Sequence, residues 1–153
     1  MKILGLDTST TATGYAILEN GKLVKSGVIV PSKKLDSIHR IIYIDEEIKK
    51  IYNKYMPDFI CIEEMVAFRN ANAMRVLIGL IYHLVIEYSK NDALVILVRP
   101  TEARKGKIKA KRRNEIKKES VEYANMKYKI NVKDDNESDA ILIAEYGESL
   151  DIE

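Results

Sequence analysis

With a single cysteine, Cys61, the 153-residue sequence cannot close an intramolecular disulfide, and nothing in it points to an oxidising compartment. Cys61 itself lies in an apolar run and reads as an inert small hydrophobe. Histidine is almost as scarce. His39 and His83 both fall inside helical patterns, and neither belongs to a Ser-His-Asp or Cys-His arrangement for nucleophilic catalysis. No apolar run is long enough to span a bilayer, since the longest, residues 76–86, is broken by Gly79 and His83. The opening residues Met1-Lys2-Ile3-Leu4 enter a strand pattern at once, without the basic, apolar and small-residue layout of a secretory signal. A cytoplasmic protein with no membrane partner is expected. Internal repeats, low-complexity tracts and linkers are also missing, which predicts one domain over residues 1–153. Its 46% hydrophobic content is enough for a packed core and argues against disorder.

Charge is present in quantity but unevenly spread. The net value is only +2, yet residues 99–129 carry twelve Lys or Arg against four Glu. The rest of the chain is correspondingly acidic. A basic band on an acidic body suits a polyanion-binding surface beside a carboxylate site, although a charge run alone reads more readily as a solvated helix face.

Hydrophobic periodicity organises the remainder. Residues 3–6, 14–18 and 23–30 read as strands, the last two joined by Asn20-Gly21, a strong hairpin signal. Residues 35–55 have helical spacing and stop before Pro57, and residues 59–62 form a fourth strand ending in Glu63. Residues 70–88 make a helix that is apolar on more than one side, which predicts burial against the sheet and against a second protomer. A fifth strand over 93–98 precedes the basic band. Helices are then predicted over about 114–126 and up to about 146, the last capped by Asp134 or Asp135. The order predicts an α/β fold: a five-stranded mixed sheet, an antiparallel meander plus parallel strands, with helices on both faces. Parallel crossover strands gather functional residues at their C-terminal ends, where Asp7 and Glu63 stand.

Asp7, Glu63, Glu64 and Asp139 are the acidic positions of interest. Phosphodiester hydrolysis needs an activated water and neutralisation of a highly charged transition state, and two divalent ions roughly 3.5–4 Å apart serve both needs. Such ions are hard and take carboxylate oxygens from several elements. Each residue also has a plainer reading. Asp7 could bond the turn amides of Thr8 to Thr11, Glu63 could pair with a lysine, and Asp139 could offset a helix dipole. Only their joint placement favours a metal site.

These residues resemble a known family. Asp7-Thr8-Ser9-Thr10-Thr11-Ala12-Thr13-Gly14-Tyr15 resembles the first motif of RuvC-type Holliday-junction resolvases, members of the ribonuclease H-like superfamily. Ile62-Glu63-Glu64-Met65 with Arg69-Asn70-Ala71 is similar to their second motif, and Asn136-Glu137-Ser138-Asp139-Ala140 to their final Asp-x-x-Asp-Ala helix. The resemblance runs in order from Asp7 to Ala144. It implies a ribonuclease H-like fold and a Mg²⁺-dependent endonuclease for four-way junction DNA, with Mn²⁺ able to substitute. Asp7, Glu63 and Asp139 become metal-binding catalytic carboxylates. The family's fourth carboxylate falls on Asn136, whose amide can ligate but brings no charge, so Asp135, one turn before Asp139, is a rival. The family's catalytic lysine falls on Arg104 or the adjacent Lys105.

Lys107, Lys109, Lys111, Arg112 and Arg113 are expected to track phosphates, with Arg69 beside them on the DNA. The resemblance also implies an aromatic near the junction centre. Its position falls on Val66, with Phe68 two residues on as the candidate for stacking. A homodimer through the 70–88 helix is implied by the need for two symmetric nicks. Two other readings stay open. The 3–13 segment also resembles the phosphate turn of actin-like and sugar-kinase-like ATP-binding domains, and Asn136 leaves room for a DNA-binding relative without catalysis.

Overall fold

The structure, a computed structural model, describes residues 1–65 and 70–150. Its strands are β1 (Lys2–Asp7), β2 (Thr13–Glu19), β3 (Lys22–Ile29), β4 (Phe59–Glu63) and β5 (Leu94–Val98). Its helices are α1 (Ser37–Tyr55), α2 (Ala71–Lys90), α3 (Pro100–Arg104), α4 (Arg113–Tyr128) and α5 (Asp135–Glu148). The sheet order is β3-β2-β1-β4-β5. The β1–β2 and β2–β3 pairs are antiparallel, and β4 joins β1, and β5 joins β4, in parallel. The mixed sheet expected from the sequence is therefore present.

Period-two alternation divides the strands between two cores. Leu4, Leu6, Ile17, Ile60 and Ile62 pack on one face with Ile44 and Ile48 of α1 and Leu80, Ile81 and Leu84 of α2. Ile3, Ala16, Leu18, Phe59 and Cys61 pack on the other face against α5 and Ala124 of α4. Burying one such Leu or Ile contributes about 1.5–3 kcal/mol, so a one-residue register slip would be costly in every strand. α5 runs across β1 and β2 under α4, and its body from Ser138 to Glu145 is buried all round. The contact is close enough to require glycine. A Cβ on Gly5 would lie 2.4 Å from the Ala140 carbonyl oxygen, and one on Gly14 would lie 1.9 Å from that of Asn136.

One detail departs from the sequence reading. α3 was not anticipated: it is a single turn, with Pro100 at its first position and Glu102 accepting the Arg99 amide at 3.1 Å. Among the described residues, the helix with the most continuous burial is α5. Among the described residues, no helix is long and apolar enough to cross a membrane.

Candidate active site

The alternation that builds the cores also aims the carboxylates. Ile3 and Gly5 of β1 face α5, as do Phe59 and Cys61 of β4, so Asp7 and Glu63 at the strand ends inherit that side. The parallel register pairs Leu6 with Ile62, and the next step sets Asp7 beside Glu63. The following turn is closed by its own hydroxyls. The Ser9 amide donates to Thr13 Oγ1 at 3.1 Å, and that hydroxyl donates to the Ser9 carbonyl at 2.6 Å. The plainer role for Asp7, bonding turn amides, is thus filled by other residues.

Asp134 caps α5, accepting from the Asn136 amide at 2.8 Å, which sets Asp135, Asn136 and Asp139 along its first turns. Asp7, Glu63, Asp135, Asn136 and Asp139 all line one pocket of about 500 Å³. Arg104, Lys111, Arg113 and Lys117 rim it. Glu64 reaches the same rim and pairs with Arg99 at 3.4 Å.

Electrostatics marks the pocket as short of positive charge at its floor. Burial, then the neighbouring Glu63 and Asp139 charges, push the Asp7 carboxyl well above its ordinary range. Burial likewise raises Glu63 to about 7, with Arg104 opposing the rise and Asp139 adding to it. Asp139 is held by two contacts. Arg104 Nη2 donates to its Oδ2 at 2.8 Å, and Ser120 Oγ of α4 donates to its Oδ1 at 2.6 Å. Among the described residues, no group of three or more His, Cys, Asp or Glu side chains is placed so that it could hold a metal ion as the side chains stand. The Arg104 guanidinium stands in for a cation at Asp139. The donor set itself fits hard divalent ions: oxygen donors only, from three elements, mutually repelling until a cation joins them.

The chain matches the model of the family described as "Crossover junction endodeoxyribonuclease RuvC" over residues 3–144. It belongs to the RuvC family. A RuvC of that description from Fusobacterium nucleatum is 36% identical over 74 residues, covering 46% of this chain and 39% of that protein. The chain spans about half or less of the length of the curated relatives it matches. T. thermophilus RuvC in complex with a Holliday junction substrate superposes with TM-score 0.80 at 15% identity, covering 95% of this chain and 91% of that one. Fowlpox virus resolvase, solved with Holliday junction DNA, gives 0.64 at 19% identity, covering 97% and 98%. At such identities the likeness is one of fold, and the fold is that of RuvC.

Within the RuvC frame, the residues singled out from the sequence separate by position. Asp7, Glu63 and Asp139 share the pocket, and so do both rivals for the fourth place. Asp135, however, is ion-paired with Lys117, while the Asn136 side-chain amide donates to Asp134 at 2.9 Å. Of the two candidate cations, Arg104 faces the pocket. Lys105 lines a separate depression with Lys107, Lys127 and Glu145. Lys107 also turns inward, pairing with Glu145 at 3.0 Å instead of lying open to a phosphate. Lys111 and Arg113 reach the pocket rim, whereas Lys109 and Arg112 are exposed outside it. Val66, Phe68 and Arg69 lie outside the described residues. Sequence reading missed Lys117 and Ser120. Both lie on the α4 face that meets α5, and only the packing of those helices reveals them.

Proposed function

We propose that the chain is a metal-dependent endonuclease that cuts branched DNA, with the four-way junction as substrate and Mg²⁺ as the ion used. The observation that carries this reading is the meeting of Asp7, Glu63 and Asp139 in one pocket rimmed by Arg104, Lys111, Arg113 and Lys117. Residues 1–153 are read as one nuclease domain. Two divalent ions held by the three carboxylates would activate the attacking water and neutralise the leaving oxygen.

The chain's own residues supply the rest. Ser120 orients Asp139 through one oxygen. Arg104 balances the other oxygen before metal arrives, and its guanidinium then lies within reach of a phosphate in the same pocket. Lys111 and Arg113 draw the DNA backbone toward the carboxylates, and this contribution weakens as salt rises. Lys117 neutralises Asp135, which leaves Asn136 as the better-placed fourth donor.

The test is cleavage of a labelled four-way junction beside a linear duplex, with Mg²⁺ or EDTA, by wild type and Asp7→Asn. The expected result is nicking of the junction only, by wild type only, with metal only. Cleavage by Asp7→Asn at the wild-type rate would remove the basis of the reading. Tight junction binding with no nicks under any divalent ion would favour a binding protein without catalysis.

A further inference from the structure

Residues 105–112, the link between α3 and α4, carry Lys111 to the pocket and lead into Arg113 at the start of α4, yet this stretch has no regular structure of its own. It is nevertheless held at two points by carboxylates that lie outside the carboxylate pocket. Glu119 of α4 accepts the consecutive backbone amides of Lys109 and Ala110, at 2.9 and 2.8 Å. Glu145 of α5 accepts Lys107 Nζ at 3.0 Å. Glu145 is an unusual residue to find there, because its side chain is only 4% exposed inside an apolar core. It is made tenable by three further donors from α4: Tyr128 at 2.6 Å, Tyr123 at 2.9 Å and Lys127 at 2.9 Å. Burial alone would raise this carboxyl. The Tyr128 and Lys127 hydrogen bonds and the Lys107 charge together hold it below the usual carboxylate range.

A buried carboxylate with four donors from two elements is a costly device for stability alone, since apolar side chains would fill the space without desolvating a charge. Its position supplies another reason. Gly106 turns the chain at φ +75° just before the Lys107 anchor, and between the two anchors Ile108 packs into the α5-side core. Beyond them, Lys111 and Arg113 reach the pocket. A basic segment free to wander would have to be ordered by each DNA molecule it met, at the expense of affinity.

We propose that Glu119 and Glu145 are positioning residues that fix the 105–112 segment before DNA arrives, so that Lys111 meets the backbone pre-arranged beside Arg113 at the start of α4. This rests on the reading of the pocket as a DNA-cleaving site. Neither residue touches DNA in this scheme, and that distinguishes it from phosphate tracking. Removing a phosphate contact lowers the slope of log affinity against log salt by about one, whereas loosening a segment lowers affinity and leaves the slope alone.

The experiment uses the 153-residue wild type, Glu119→Ala and Glu145→Gln. Amide hydrogen exchange is followed on the free protein, and four-way-junction binding in EDTA is measured over a range of salt. Glu119 is on the surface side of α4, so its variant keeps the fold should Glu145→Gln not. Both variants are expected to lose protection at Lys109 and Ala110 by at least about tenfold. Junction affinity is expected to fall by roughly tenfold with an unchanged salt slope. Glu119→Gln, which retains one carbonyl acceptor, is expected to recover part of the affinity. Wild-type protection in Glu119→Ala would overturn the clamp, as would lost protection with undiminished affinity or a reduced slope. Should wild type hold no branched DNA, the reading of the site fails, while the exchange data still decide whether the two carboxylates fix the segment.

Discussion

Asp7 and Glu63 are acids in a place that disfavours their ionised forms, and this has a thermodynamic sign. The folded protein without metal retains protons on carboxyls that the unfolded chain releases near their ordinary values, 3.8 for Asp and 4.5 for Glu. The stabilisation from these raised groups is therefore complete below about pH 4 and is lost as pH rises through the folded value of Glu63, about 7. Metal-free protein is expected to lose thermal stability steadily between pH 5 and 8. Asp7→Asn, which removes one of the repelling charges, should melt roughly 3–6 °C above wild type at pH 8, with the gap closing toward pH 5. Adding Mg²⁺ should reverse the order, raising wild type and barely moving the variant. Thermal melts across pH with and without EDTA would show this, and parallel curves for the two proteins would mean that Asp7 and Glu63 do not share a repulsive site. The same carboxylates show what residue-level reading can reach. Asp7, Glu63 and Asp139 were visible as strand-end and helix acids in a motif order. The Arg104 and Ser120 contacts to Asp139 were not, because each joins residues whose proximity depends on tertiary packing.

At the scale of elements, α5 is the part on which the site depends, and glycine sets its distance from the sheet. Gly5→Ala would place a methyl 2.4 Å from the Ala140 carbonyl and 2.7 Å from the Ala144 amide nitrogen. Neither atom is the tip of a flexible side chain, so the helix itself must move. Overpacking of this kind costs about 1–3 kcal/mol or more, a fall of roughly 2–12 °C in Tm for a chain of this size. Because Asp139 immediately precedes Ala140, cleavage of junction DNA should drop by more than the stability loss explains, at temperatures where the variant is fully folded. A Gly5→Ala protein with wild-type rate and Tm would show that α5 has slack the structure does not suggest. The strands and long helices were legible because their periods of two and 3.6 repeat over many residues. α3 spans only five residues and offers no period to detect. Its one local signal was Pro100 followed by Glu102, a proline at the first helical position and an acid at the third.

For the whole molecule, the apolar surface left uncovered points to a second copy. α2 was expected to supply the dimer contact alone, and its outward face does show Tyr82 at 54% and Ile86 at 52% exposure. A twenty-residue helix is roughly 30 Å long, and one face about 10 Å wide offers about 300 Å², well short of the about 800 Å² per partner of a stable interface. α1 makes up part of the difference. His83 lies 3.3 Å from Asp45 and Lys49 lies 3.4 Å from Glu87, so α1 and α2 run side by side in the same direction. Ile38 and Ile42, at 70% and 46% exposure, precede Asp45 on that stripe of α1 and extend the patch toward the N-terminal end of α2. The expected result is a dimer by sedimentation equilibrium for wild type. Tyr82→Glu combined with Ile42→Glu should yield a folded monomer, because both positions face outward and contribute little to either core. That monomer should accumulate singly nicked junctions, since paired symmetric cuts need two active sites held by one twofold interface. A double variant that stays dimeric would place the interface elsewhere. A monomer that still cuts both strands in concert would separate symmetric cleavage from dimerisation altogether.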